Sequence, residues 1–190
     1  MKTLRFDDIC INTDMKNAIE IAEYVKELGW NVIFCVSPLV NKSSDQRVYP
    51  KRYNAYSDYR IFYKMTDIGI PKFPSWIKIA SHGLVHVDHR LLSKEAQELS
   101  IITSCYLTAA SLNISQSKMM FVPPFNKWNR DTMEICKEHN IELIKFEDGW
   151  TCAEHEKYDP YTDLWYIHSR EWTLETFKKW MGNEDSYTST

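Results

Sequence analysis

The chain has 190 residues, enough to bury a core without disulfide or metal staples. Hydrophobic residues make up 44% and aromatics 14%, a globular composition rich in the flat side chains that pack cores or line sugar and base pockets. A net charge of -3 argues against sequence-independent binding to nucleic acid.

In chain order, "MKTLRF" reads as a short first strand ended by Asp7 and Asp8. "TDMKNAIEIAEYVKELGW" then places Ile19, Ala22, Val25 and Leu28 near one helical face, with Thr13 or Asp14 as cap and Gly29 as stop. "NVIFCVSP" is a β-branched apolar run closed by Pro38, the pattern of a buried strand. Strand, helix and strand at this spacing predict a βαβ unit and a parallel sheet. Residues 41–75 are polar, aromatic and poorly periodic, and read as a long connection with room for one short helix. "SWIKIAS" resumes as a strand and delivers the chain into His82. A helix follows over about 93–112, then the strand "KMMFVPPF", the helix "RDTMEICKEHN" and the strand "IELIKF". "TDLWYIHS" is a further strand and "TLETFKKWMG" a last helix, before a polar tail from about residue 183. Six strands alternating with helices predict an α/β fold, as a barrel or an open sheet, in one domain spanning 1–190.

Cys10, Cys35, Cys105, Cys136 and Cys152 are odd in number and include no C-x-x-C pair, so they read as buried thiols in a reducing compartment. The amino terminus lacks the apolar run of a signal peptide, and no stretch suits a membrane span. The expectation is a cytoplasmic protein.

Four polar clusters fall where predicted strands end: Asp7-Asp8, His82 with His86, the "PPFNKWN" turn, and His168. Active sites of α/β barrels and open sheets collect at the carboxyl ends of their strands. Singly, each cluster has two readings. An Asp pair is a solvated turn or a ligand, and His168 in an apolar strand is a core histidine or a catalyst. H-x-x-x-H is either two imidazoles on one helical face, suited to a divalent metal, or a capped helix start. Asp88 and His89 just beyond are either an ordinary polar turn or groups that orient an imidazole. Taken together, two His and one Asp leave open positions on a metal, as a catalytic site requires.

In this order, "RFDD", "HGLVH", "FVPPFN" and "YIHS" resemble the motifs of the polysaccharide deacetylases, the NodB-like metal-dependent carbohydrate esterases. The resemblance spans about residues 3–172 and implies a distorted, incomplete β/α barrel of about six to seven strands. It implies that Asp8, His82 and His86 hold one divalent metal ion, zinc being the usual choice. Asp7 would be the general base toward the metal-bound water, and His168 the general acid toward the departing amine. Pro124, Phe125, Asn126 and Trp128 would face substrate or the developing oxyanion, a backbone N–H around Phe125 included. Asp148 with Trp150, or Glu147 in place of Asp148, would orient the late histidine. Trp128, Trp150, Trp165 and Trp172 lie in or near the motif loops, divided between stacking on a sugar and plain packing.

One departure stands out. The family carries an arginine in its third motif that pairs with the base, and this chain has Phe121 and Val122 there. Arg5 and Lys127 are the candidates to replace it. The implied reaction is hydrolytic deacetylation of a small N-acetylated sugar, an oligosaccharide, or a nucleotide- or lipid-linked sugar. Two alternatives use the same residues: a sugar-binding protein that keeps the fold without turnover, and a metal-dependent phosphoesterase.

Overall fold

A computed structural model describes residues 1–10, 13–41, 62–64, 73–84, 86–112, 114, 118–145, 157–159, 164–168 and 172–184. Strand β1 (Thr3–Ile9), helix α1 (Met15–Glu27) and strand β2 (Asn31–Val36) form the expected parallel βαβ unit. Asp14 caps α1 by accepting from the Asn17 N–H at 3.1 Å, and Gly29 ends it at φ 79°. The inward stripe of α1 is Ala18, Ile21, Ala22 and Val25. It lies about one residue from the predicted one, so that Leu28 is left exposed. The 18/21/22/25 spacing is the i, i+3, i+4, i+7 set that meets a sheet.

Next along the chain come β3 (Leu39–Asn41), β4 (Phe62–Lys64), β5 (Lys78–Ser81), α2 (Lys94–Leu112), β6 (Met120–Phe121) and α3 (Arg130–Glu138). β7 (Glu142–Leu143), β8 (Lys157–Asp159), β9 (Leu164–His168) and α4 (Leu174–Glu184) complete the order. The main sheet runs β7-β6-β5-β2-β1-β9-β8. Its six parallel strands form a curled half-barrel with four helices, and β8 adds an antiparallel edge to β9. All six predicted strands and four predicted helices are present. β3 and β4 pair separately and antiparallel, so the predicted 41–75 connection contains a strand at 62–64. The short helix expected there falls on residues outside those described. Among the described residues, no helix is long and apolar enough to cross a membrane.

Period-two alternation divides the central strands between two environments. Leu4, Phe6, Val32, Phe34, Trp165 and Ile167 pack with α1 and with Phe177 and Met181 of α4. The opposite face carries Arg5, Asp7, Ile33, Cys35, Leu164 and Tyr166, all buried. Charged groups thus stand inside the curl of the sheet, at the end where the strands finish.

Helix α2 reverses the usual polarity. It buries Gln97, Ser100, Ser104 and Thr108 alongside Ile101 and Cys105, and exposes Leu99, Ile102 and Tyr106. Three of these four polar groups have partners outside the helix: Ser81 Oγ–H donates to Ser104 Oγ at 2.6 Å, Thr132 Oγ–H donates to Gln97 Oε1 at 2.7 Å, and Ser100 Oγ lies 3.1 Å from His89 Nε2, while the Thr108 hydroxyl has none among the described residues. Thr132 also completes a capping box with Asn129, which starts α3. Asn129→Ala should lower the unfolding free energy by about 1 kcal/mol, read as a lower urea midpoint with an unchanged m-value.

Candidate metal centre

Strand β1 does not stop at the two aspartates; it runs through them to Ile9. Alternation would send Asp7 and Asp8 to opposite faces. The pairing of β1 with β2 shifts register between Phe6 and Ile9, and Asp8 adopts φ 60°. This bulge breaks the alternation and re-aims the Asp8 carboxylate. The cost of a left-handed, non-glycine backbone is accepted at the residue whose side chain meets the histidines.

His82 follows β5 directly. Its backbone N–H donates to Val36 O at 2.8 Å, and its Nδ1–H donates to Val122 O at 2.9 Å. A carbonyl only accepts, so Nδ1 carries a proton and Nε2 is the ring atom turned toward the centre. That Nε2 faces Asp8 Oδ1 at 3.5 Å. His86 reaches the same oxygen with its Nε2 at 3.1 Å, and the two imidazole centroids lie 5.1 Å apart. Gly83, Leu84 and His86 are not helical, contrary to the helical-face reading of the H-x-x-x-H spacing. Gly83 turns the chain at φ 81°, a conformation open to glycine, and brings the rings together through a loop.

Asp8, His82 and His86 therefore offer one carboxylate oxygen and two imidazole nitrogens, all within 4.8 Å of one another. Hard and borderline donors in this ratio, with positions to spare, suit a divalent ion of the zinc type. Burial pushes the Asp8 carboxyl up, but His86, His82 and His168 outweigh it and hold the group far below the usual carboxylate range. Burial lowers His86 to about 4 in spite of Asp8. At His82 burial is outweighed by the hydrogen bond to Asp8 and the charges of Asp7 and Asp8, which raise it.

The cation beside Asp7 is Arg5. Two residues apart on one strand, the side chains share a face, and the guanidinium forks onto the carboxylate: Nε–H to Oδ1 and Nη2–H to Oδ2, each 2.7 Å. Nη2 also donates to Asn126 Oδ1 at 2.6 Å. Burial pushes Asp7 up, but Arg5 and His82 hold it below its ordinary value. Burial, with the Asp7 carboxylate nearby, pushes the Cys35 thiol on β2 well up and keeps it protonated.

The structure brings His168 to this group by register, since Asp7 pairs with His168 across β1 and β9. Its Nε2 lies 4.0 Å from Asp8 Oδ2. Pro124, Phe125 and Asn126 form one 3-10 turn, with Phe125 at φ 58° and Asn126 at φ 55°. The Phe125 ring stands edge-on to His86 with centroids 4.2 Å apart. Asn126 is buried, with its N–H given to Pro123 O and its carbonyl oxygen to Arg5, so it supports Arg5 from the turn. Trp128 lies half-buried beneath Lys145 Nζ at 4.5 Å. Glu147, Asp148 and Trp150 fall outside the described residues. Trp165 and Trp172 both pack against Trp180 in the core, away from a stacking role.

Asp88 and His89 divide between the two readings. Asp88 caps the 3-10 turn over His89–Leu91 and pairs with Arg90 at 2.7 Å. His89 is fully buried, bonded to Val87 O and Ser100 Oγ at 3.1 Å each. Sequence reasoning passed over Ser100, Cys35 and the Val122 carbonyl; nothing local in the sequence distinguishes them from ordinary core residues. A second donor set, Glu98, Glu138 and His139, sits on the exposed side of α2 and α3, where His139 already bonds Glu98 at 2.8 Å.

Two measurements check these assignments. Arg5→Met should cost about 3–5 kcal/mol by leaving Asp7 buried without its cation, while Arg5→Met with Asp7→Leu should recover most of the loss; urea unfolding of the three proteins decides it. Burial holds His89 at about 4, against about 6.5 in an unfolded chain. Between those values the unfolded chain takes up a proton that the folded chain refuses. The contribution of His89 is therefore complete above about pH 6.5 and is lost on acidification, by up to about 3 kcal/mol at pH 4. That slope should be shallower in His89→Gln.

Neither a family model nor a curated protein sequence matches the chain. Among solved structures, wild-type BA3943, a CE4 family pseudoenzyme from Bacillus anthracis, is similar with a TM-score of 0.52 at 12% identity, over 77% of this chain and 43% of that one. A mutant of BA3943 gives 0.51 at 12% identity, over 77% and 44%. The Streptococcus pyogenes deacetylase PplD gives 0.46 at 12% identity, over 87% and 62%. The chain spans less than half the length of the two BA3943 structures. Its curled parallel sheet is thus the fold of the CE4 carbohydrate esterases, the polysaccharide deacetylase family that its four motifs resemble.

Proposed function

We propose that the chain is a metal-dependent hydrolase that removes the acetyl group from an N-acetylated sugar or glycoconjugate. The observation that carries this reading is the convergence of Asp8, His82 and His86 with an arginine-held Asp7 and with His168, all at the carboxyl ends of parallel strands. An amide is a poor electrophile, and a divalent ion at the three ligands, which we propose to be zinc, supplies Lewis acidity toward the carbonyl and acidifies water.

The remaining work belongs to the chain. Asp7, kept ionised by Arg5, accepts the proton that water loses as its oxygen adds to the acetyl carbon. When the C–N bond breaks, the nitrogen must leave as an amine and so needs a proton, which His168 supplies from the neighbouring strand. Acetate and a free amino sugar are the products. Phe125, whose ring meets His86, is our candidate to face the substrate, with Pro124 of the same turn and Trp128 two residues beyond it. The buried free thiols Cys10, Cys35, Cys105 and Cys136 support a reducing, cytoplasmic setting. In that setting the substrate is a short oligosaccharide or a nucleotide- or lipid-linked sugar.

A second reading, a sugar-binding protein without turnover, is favoured by one observation. Asp7 is 3% exposed and both its oxygens are occupied by Arg5. BA3943, which has the same fold, is itself described as a pseudoenzyme. Metal analysis and acetate release from a panel of N-acetylated sugars separate the two. Asp7→Asn should lower kcat by about 10²–10⁴-fold with metal retained, and Asp8→Ala or His82→Ala should lose the metal. Undiminished acetate release by either metal-ligand variant would sink the hydrolase reading. Metal and sugar binding with no product at any pH would establish the second.

A further inference from the structure

His82 and His86 reach the centre by different routes. His82 is fixed by strand-end bonds to Val36 O and Val122 O. His86 stands four residues on, past the left-handed Gly83, in a segment that belongs to no helix or strand. Its placement therefore depends on what holds that segment.

The bonds around it run in one direction. The Leu84 N–H donates to Ser100 Oγ at 3.3 Å. His89 gives its Nδ1–H to Val87 O at 3.1 Å, since a carbonyl only accepts. Its Nε2 then accepts, and the Ser100 O–H, 3.1 Å away, is the donor. Ser100 thus uses its single proton on His89 and a lone pair on Leu84. The chain of bonds leaves the backbone at 84, passes through α2, and returns to the backbone at 87, bracketing His86. Ser100 and His89 are wholly buried, and Leu84 and Val87 nearly so, so water does not compete for these bonds. The His89 ring is further wedged edge-on against Phe121 of β6. One turn along α2, Ser104 receives the Ser81 hydroxyl and donates its own to Ile101 O, tying down the residue before His82.

We propose that Ser100 and His89 are positioning residues for the metal centre: they clamp Leu84 and Val87, on either side of His86, onto α2 and so set where the His86 imidazole stands relative to Asp8. This rests on reading Asp8, His82 and His86 as ligands, and is independent of which acyl group is hydrolysed or whether turnover occurs. A clamp of this kind acts through metal affinity, whereas a merely structural pair acts only through stability.

The test is a cycle on Co2+ affinity, measured by calorimetry and by the visible spectrum of the loaded protein. Ser100→Ala and His89→Gln should each bind Co2+ about tenfold more weakly than the wild type, with an altered spectrum. In a His86→Ala background, Ser100→Ala should cause no further loss, because the ligand it positions is gone. Two variants are used so that a folding failure in one leaves the other to decide. Affinity of Ser100→Ala within twofold of the wild type, with only a lowered Tm, would overturn the clamp and leave the hydrolase reading standing. A tenfold loss that persists in the His86→Ala background would also overturn it. A wild-type chain that takes up no Co2+ would overturn both.

Discussion

A guanidinium with no exposure to water sits within β1, between β2 and β9, and the carboxylate two residues further along accepts two of its hydrogen bonds. Either charge alone would be intolerable in that position; together, at 2.7 Å on both arms, they form a fork-on-fork pair. The rest of the site is arranged around this pair. Its outer arm reaches Asn126 and so ties the 124–126 turn to β1. The Arg5 guanidinium also lies 5.1 Å from the centre of the Tyr166 ring, which binds β9 to the same point. The three chain segments that carry Asp7, Phe125 and His168 thus share one cation.

Much of the fold was legible because alternating strand and helix periods leave few architectures open. The site was legible for a different reason: metal-binding and proton-transfer chemistry uses a short list of side chains, and Asp8, His82, His86 and His168 each stood beside a strand end. What the sequence obscured was geometry. The two aspartates read as a stop because Asp disfavours strands, yet β1 continues through a bulge that only backbone torsions reveal. The H-x-x-x-H spacing suggested a helical face, whereas Gly83 and a loop achieve the same approach. The Arg5–Asp7 pairing was available in principle, since residues i and i+2 of a strand share a face. Arg5 was accordingly one of two candidates to replace the arginine of the third motif, and the structure selects it over Lys127. Asn126 looked like a ligand for substrate because polar turn residues near a site usually are; its burial and its bond to Arg5 assign it to support.

The two imidazoles also show how a loop acquires the precision of a strand. His82 inherits its position from the sheet through two backbone carbonyls. His86 inherits its position from a helix, through hydroxyl and ring atoms that any hydropathy reading would count as blemishes in a core. Burial keeps those polar groups bonded to one another, and bonded polar groups have direction where apolar contacts have none.

Helix α2 makes that difference concrete. A helix seated on leucines can slip by a turn and find other leucines, losing little. α2 is seated on Gln97, Ser100, Ser104 and Thr108, each of the first three engaged with a named partner on β5, α3 or the histidine loop. A slide of one turn, about 5.4 Å, would carry Gln97, Ser100 and Ser104 past their partners at once and leave donors and acceptors stranded without solvent. The helix is therefore keyed rather than greased, with one permitted longitudinal setting, and the oily stripe it turns outward has no part in choosing it.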